Sequence, residues 1–381
     1  MFRTTLAASL LLTVSAGALS AQDVYETEQA NFRVETVAEG LNIPWSIGFL
    51  PDGAMIVTER DGGSQGLRII DADGHLRAEP VTGMPEDVVV NRQGGLFDAI
   101  PHPDFVENRL VYISYAQGTR EAHRTALIRA RLSDDLTALE DVEELFAVNY
   151  DIATNRHHGG KILFDRNGYL WLSLGDGGNH YDEAQNPENH IGTLIRLNDD
   201  GSVPSDNPFA DGDGGAPEVW SYGHRNIQGL VQHPETGTIW SHEHGPRGGD
   251  EVNIHRESGL NYGWPEITYG IEYDGSIITE DREREGMEQP IWYWTPSIAN
   301  SGAAFYTGDA FPHWQNDLFV GALAGMHVAR LETDGDRVIG QERLLEDLEE
   351  RIRDVRTGPD GYIYITTDSD EGRVLRLVPA E

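Results

Sequence analysis

Cysteine is absent from all 381 residues and lysine occurs once, at Lys161. Without cysteine no disulfide can support the fold. The near-absence of lysine, with a formal net charge of −36, argues against nucleic acid or an anionic membrane surface as a partner, since both need basic patches. No run beyond the first residues reaches the roughly 18 consecutive apolar positions a membrane span requires. Long helical periodicity is also missing. What remains is an acidic chain whose acidity reads as solubility in a salty exterior. Arginine supplies nearly every cation, so clustered arginines are informative.

The opening "MFRTTLAASLLLTVSAGALSAQDVYE" has Arg3, an apolar run from Leu6 to Val14 and a small-residue exit. This is the pattern of a secretory signal peptide. We expect residues 1–21 to be that leader, with the mature start between Ala18 and Asp23, and 22–381 to be one domain. The expected location is periplasmic or secreted. The mature chain is long enough to bury a sizeable core without disulfides.

One supersecondary pattern recurs six times: an apolar strand, a turn rich in Asp, Pro, Asn or Gly, a second β-rich strand and a third near charged residues. The clearest copies are "WSIGFLPDGAMIVTER", "KILFDRNGYLWLSLGD", "GLVQHPETGTIWSHEH" and "DVRTGPDGYIYITTD". Period-two strands of this kind predict an all-β fold, a six-bladed β-propeller of four-stranded antiparallel blades. The N-terminal "FRVETVAEGL" would add a strand to the last blade and close the ring. The charge run at 278–290 reads as a solvated excursion.

Hairpin counting then locates chemistry. With "DRNG" (165–168) as the turn, His157 faces Asp176 at the mouth of its hairpin. A carboxylate bonded to one imidazole nitrogen fixes the tautomer and leaves the other to accept a proton. Capping of a strand end is the competing role for either residue. His158 falls on the opposite face and reads as structural. With "PETG" (234–237) as the turn, Asn226 faces Gly245 and Arg225 faces Pro246. Gln93, Arg351 and Arg353 occupy the same phase of their own copies, so groups spread over the chain converge on one face near the channel. Three arginines there call for an anionic ligand that bears carboxylates. Pairing with local Asp or Glu is the alternative for any one of them.

For a hard cation the candidate oxygens are the carbonyls of Gly245 and Pro246, the Glu251 carboxylate and an oxygen of Tyr262, a set that suits calcium better than zinc. "HEH" at 242–244 lacks a third soft ligand. "LGDGGN" lacks the strand-to-helix context of a dinucleotide site.

Together "GLNIPWSIGFLPDGAMIVTERDG", "HHGGKILFDRNGYLWLSLGDGG", "YGHRNIQGL", "EHGPRGGDEVN", "LNYGWP" and "RIRDVRTGPDGYIY" resemble the soluble pyrroloquinoline quinone (PQQ) dependent aldose sugar dehydrogenases over nearly the whole mature chain. The resemblance implies PQQ and calcium on one face of the propeller and oxidation of an aldose to its lactone. It makes His157 the base at the sugar C1 hydroxyl, Asp176 its orienter and Arg225 the group that polarises the accepting oxygen. Asn226, Gln93 and Tyr273 would contact the cofactor, Arg351 and Arg353 would hold its carboxylates, and Gly245, Pro246, Glu251 and Tyr262 would serve calcium. Where relatives place a lysine beside the cofactor, this chain has Leu323, Ala324 and Gly325, so one cationic contact is missing. Asn300 also stands where proline is usual, and Arg156 precedes the base where an acid is found, so sugar preference does not transfer. The implied partners are an aldose and an unspecified electron acceptor, with the protein a monomer or homodimer. Competing classes are a calcium-dependent propeller lactonase or esterase, which needs a ring of Asp, Asn and Glu, and a non-catalytic binding propeller.

Overall fold

A computed structural model of the chain describes residues 24–150 and 155–380. The expected leader lies outside them. Six antiparallel sheets follow one another along the chain. Blade I comprises Pro44–Phe49, Met55–Glu59 and Leu67–Ile70. Blade II comprises Leu96–Pro101, Leu110–Gly118, His123–Leu132 and Leu139–Ala147. Gly159–Phe164, Leu170–Leu174, Thr193–Leu197 and Val219–Tyr222 form blade III. Ile227–Gln232, Ile239–Glu243, Asp250–His255 and Trp292–Trp294 form blade IV. Asn300–Phe305, Leu318–Ala322, His327–Thr333 and Val338–Leu344 form blade V. Blade VI takes Ile352–Thr357, Ile363–Thr367 and Gly372–Pro379, and completes itself with the N-terminal strand Phe32–Leu41.

That last pairing, Phe32↔Pro379 to Leu41↔Gly372, ties the two ends of the described chain together. The first strands of successive blades contact one another around the whole ring. The fold is therefore the six-bladed propeller the repeats predict, with one correction. Blade I has three regular strands, not four. Its outer edge is covered by an irregular segment bridged at Ile70↔Leu76, where the Val81 N–H reaches the Leu67 carbonyl at 2.8 Å. Pro80 interrupts that segment because it offers no N–H to a ladder.

Burial follows from stacking the blades face to face. The second strands Met55–Glu59, Leu170–Leu174, Ile239–Glu243, Leu318–Ala322 and Ile363–Thr367 are buried on both faces, and each opens on two or three consecutive apolar residues rather than on an alternating pattern. The outermost Leu139–Ala147 is mostly exposed. Core residues fill the seams: Tyr112 and Leu127 of blade II pack with Ile162, Leu172 and Ile195 of blade III. Turns carry glycine where the backbone must be left-handed, as at Gly168 (φ +85°) and Gly361 (φ +80°).

Four charges meet on the first strands of blades II, III and VI. Lys161 Nζ lies 2.7 Å from Asp354 Oδ1 and 4.0 Å from Asp98 Oδ2. Arg356 bonds both carboxylates, at 2.9 and 2.8 Å. The lysine is 4 % exposed and its ammonium sits 4.6 Å from the centre of the Trp45 ring. The amides of Ile47 and Ile162 donate to the same two carboxylates, so four blades share the cluster.

Candidate active site

Every site residue at the repeat's N-terminal phase comes to one end of the ring. Gln93, His157 and Arg225–Asn226 precede the first strands of blades II, III and IV, while Arg351 and Arg353 flank the start of blade VI's. His157 Nδ1–H donates to Asp176 Oδ1 at 2.6 Å. In the body of this hairpin the pairing is offset by one from the count, Leu172 facing Ile162. A bulge before Leu174↔Gly159 restores the register at the mouth.

His157 is held in an unusual backbone state, φ +59°, of a kind that persists only when the surroundings over-determine it. Three contacts do so. Gln93 Oε1 accepts its N–H at 2.8 Å, Gly177 N–H donates to its carbonyl at 3.2 Å, and Gly175 passes so close that a Cβ there would lie 2.1 Å from that carbonyl. Asp176 is 1 % exposed. Besides His157, its Oδ1 accepts from Gly178 N–H at 2.6 Å and its Oδ2 from Trp264 Nε1 at 2.9 Å. Burial pushes this carboxyl up, but the His157 ring, the Arg225 charge and the Gly178 bond together hold it below its ordinary value. Burial and then Arg225 hold the His157 imidazole below the ordinary range, against the opposing pull of Asp176. Among the described residues no protein group engages its Nε2.

Blade IV requires a correction. Its hairpin body runs in the counted register, Gly229↔His242, but a bulge before Ile227↔Glu243 shifts the mouth by one residue. Asn226 therefore lies opposite His244, whose N–H it accepts at 3.1 Å, and not opposite Gly245. Arg225 likewise does not face Pro246; its guanidinium donates to the His244 carbonyl at 3.0 Å. Asn226 Oδ1 accepts the Gly159 N–H at 3.2 Å and so bridges to blade III. Glu243, which sequence reasoning passed over, anchors this turn: its Oε2 accepts the amides of Arg225 and Asn226, while its Oε1 takes His224 Nδ1–H at 2.8 Å.

The arginines divide into two kinds. Arg351 and Arg353 share one carboxylate, Asp368, at 2.8 and 3.2 Å, so local pairing leaves one positive charge unneutralised. Burial would raise the Asp368 carboxyl, yet Arg353 and then Arg351 bring it down to about 2. Arg225 has no ion-pair partner among the described residues, and its buried Nε has no hydrogen-bond partner.

Beside these groups lies a cavity of about 280 Å3, lined by Arg60, Arg351, Arg353, Gln93, Asn226, His158, Tyr273 and Leu323, with Trp45 and Phe97 among its apolar walls. His157, Asp176 and Arg225 do not line it but adjoin it, His157 through its bond to Gln93 and Arg225 through the neighbouring Asn226. No carboxylate lines it. Tyr273 is 68 % exposed at its rim. Ala324 and Gly325 belong to an exposed turn whose amides are both taken by the Ile298 carbonyl. His158 is buried on Phe97 and His123 rather than facing Asp176. A larger hollow of about 730 Å3, on the flank of blades II and III around Arg124 and His190, contains none of these groups.

Beside Arg225 a smaller recess gathers Glu243, Gly245, Glu251, Tyr262 and Trp264. The Tyr262 hydroxyl is already committed, donating to the Ile254 carbonyl at 2.8 Å. The candidate oxygen on that residue is thus its carbonyl. Glu251 is held well above the ordinary carboxylate range by burial and then by Glu243, and the buried Asp250 Oδ2 lacks a partner.

A closed propeller with an imidazole–carboxylate pair beside an arginine-lined cavity at one mouth belongs to the propeller oxidoreductases. Residues 41–376 match the family described as glucose / sorbosone dehydrogenase, and the chain belongs to that family. It is 44 % identical to the aldose sugar dehydrogenase YliI of Escherichia coli (strain K12), over 92 % of this chain and 94 % of that protein. A crystal structure of a glucose dehydrogenase superposes with a TM-score of 0.87 at 46 % identity, covering 91 % of this chain and 99 % of that one. The PQQ-bound aldose sugar dehydrogenase of Streptomyces coelicolor superposes at 0.75 with 25 % identity, covering 92 % and 98 %.

Proposed function

We propose that the protein oxidises aldoses at C1 to lactones, with PQQ as hydride acceptor and calcium beside it, and with His157 as the general base. The observation that carries this is the His157–Asp176 pair, joined through Gln93 to a cavity whose charged lining is wholly cationic. Membership in the dehydrogenase family supports it.

The residues present fit the cofactor. Arg351 and Arg353, whose shared Asp368 leaves one charge over, would hold its carboxylates, and Arg225 Nε is a buried donor in need of an acceptor. Glu251 and Glu243 enclosed together, with the Gly245 carbonyl alongside, make a recess that a hard cation would relieve of like-charge repulsion. Bound PQQ supplies the two-electron acceptor that no side chain here can provide.

The chain's own work is proton handling and orientation. Because Nδ1–H is committed to Asp176, the lone pair on Nε2 takes the C1 hydroxyl proton, and Asp176 stabilises the imidazolium that forms. Arg225 offers positive charge where negative charge accumulates. We also propose export behind the leader at 1–21; no described helix is long and apolar enough to cross a membrane.

Reconstitution with PQQ and calcium, followed by dye reduction with several aldoses, tests the reading. Failure to take up PQQ would sink it. His157→Gln should retain PQQ binding and lose turnover by roughly 10²–10⁴-fold; near-full activity would remove His157 as the base.

A further inference from the structure

We propose that Trp264 is a positioning residue for this site, fixing Asp176 and Arg225 at once. The proposal rests on the His157 reading above and extends it to a residue from another part of the chain. Asp176 Oδ1 is shared by His157 and Gly178, but among the described residues Trp264 Nε1 is the one donor to Oδ2. A carboxylate held at both oxygens cannot rotate about its terminal torsion. Freed at Oδ2, it could turn and release the imidazole, whose tautomer would then be unspecified.

The face of the same indole carries Arg225, its Cζ lying 5.2 Å from the ring. That guanidinium has one other hold, the bond to the His244 carbonyl, so the ring sets its plane. Trp264 is itself fixed, 7 % exposed. Its backbone N–H donates to the Gly223 carbonyl at 2.9 Å and its backbone carbonyl accepts from Gln185 Nε2 at 2.7 Å. Blade III thus supplies the proton-handling pair, blade IV the cation, and one side chain from the loop after Asp250–His255 sets the angle between them.

Two substitutions separate the roles. Trp264→Phe removes the N–H and keeps a ring under Arg225; Trp264→Leu removes both. In ¹⁵N-histidine-labelled protein without cofactor, above the imidazole titration range, wild type should show His157 as the pure Nδ1–H tautomer, assigned by its loss in His157→Gln. Trp264→Phe should show mixed tautomers and a kcat lower by about 10-fold, with sugar KM and PQQ uptake by absorbance titration within about twofold. In Trp264→Leu, PQQ uptake should weaken by about 10-fold as well. A wild-type tautomer in Trp264→Phe overturns the proposal. Mixed tautomers with unchanged kcat would uphold the positioning role and remove His157 as the base. Should the variants not fold, the indole N–H resonance of wild type must move in Asp176→Asn, and a stationary signal overturns the proposal.

Discussion

His157 owes its place to its neighbours' backbones as much as to its own side chain. Its left-handed φ survives because Gly175 crosses at a distance no other residue allows. Gly175→Ala should therefore leave a folded propeller, by circular dichroism, with turnover reduced on the order of 10²-fold, as expected when a reacting group is misplaced by about 1 Å. The environment also sets a pH limit. Burial and Arg225 keep the imidazole below its ordinary value, so the base stays neutral to lower pH than a free histidine would. The acidic limb of kcat/KM should fall below the unperturbed value of about 6.5. A limb at or above that value would mean that Asp176 outweighs burial.

At the scale of strands and blades, ring closure depends on Phe32–Leu41. Phe32 is 0 % exposed, stacked on Tyr25 and edge-on to Trp314 of blade V. Phe32→Ala should cost about 3–5 kcal/mol, read as a lower denaturation midpoint with an unchanged slope. Much of this architecture was legible in the sequence. Turn glycines and doubly buried second strands mark the hairpins, and counting outward from "DRNG" brings His157 to Asp176. Counting failed at "GHRN" because a bulge costs one residue and leaves no mark in an apolar pattern. Trp264, Glu243 and Asp368 were passed over for a different reason. Each acts through partners on other strands or loops, and neither strand period nor motif spacing encodes those meetings. The arginine pair shows the limit clearly: both convergence on the cavity and local neutralisation were foreseeable, but only the shared Asp368 shows that they occur together.

For the molecule as a whole, buried neutral histidines make the fold sensitive to acid. Burial, then His123 and His157, push His158 down to about 3, and burial with the Lys161 charge does the same to His242. The unfolded chain binds these protons more readily than the folded one. Their contribution is therefore complete above pH 6.5 and is lost as pH falls from there toward 3, at up to about 1.4 kcal/mol per unit for each group. Urea midpoints across that window should fall steadily, and less steeply in His158→Phe, whose ring can keep the packing against Phe97.

The charge cluster on the first strands has a practical corollary. Lys161 is the chain's one side-chain amine, and it is enclosed between Asp354, Asp98 and Trp45. Acylating reagents will find no lysine on the native surface. Their slow reaction at this position would time the opening of the ring at its centre, where a chemical clock is otherwise hard to place.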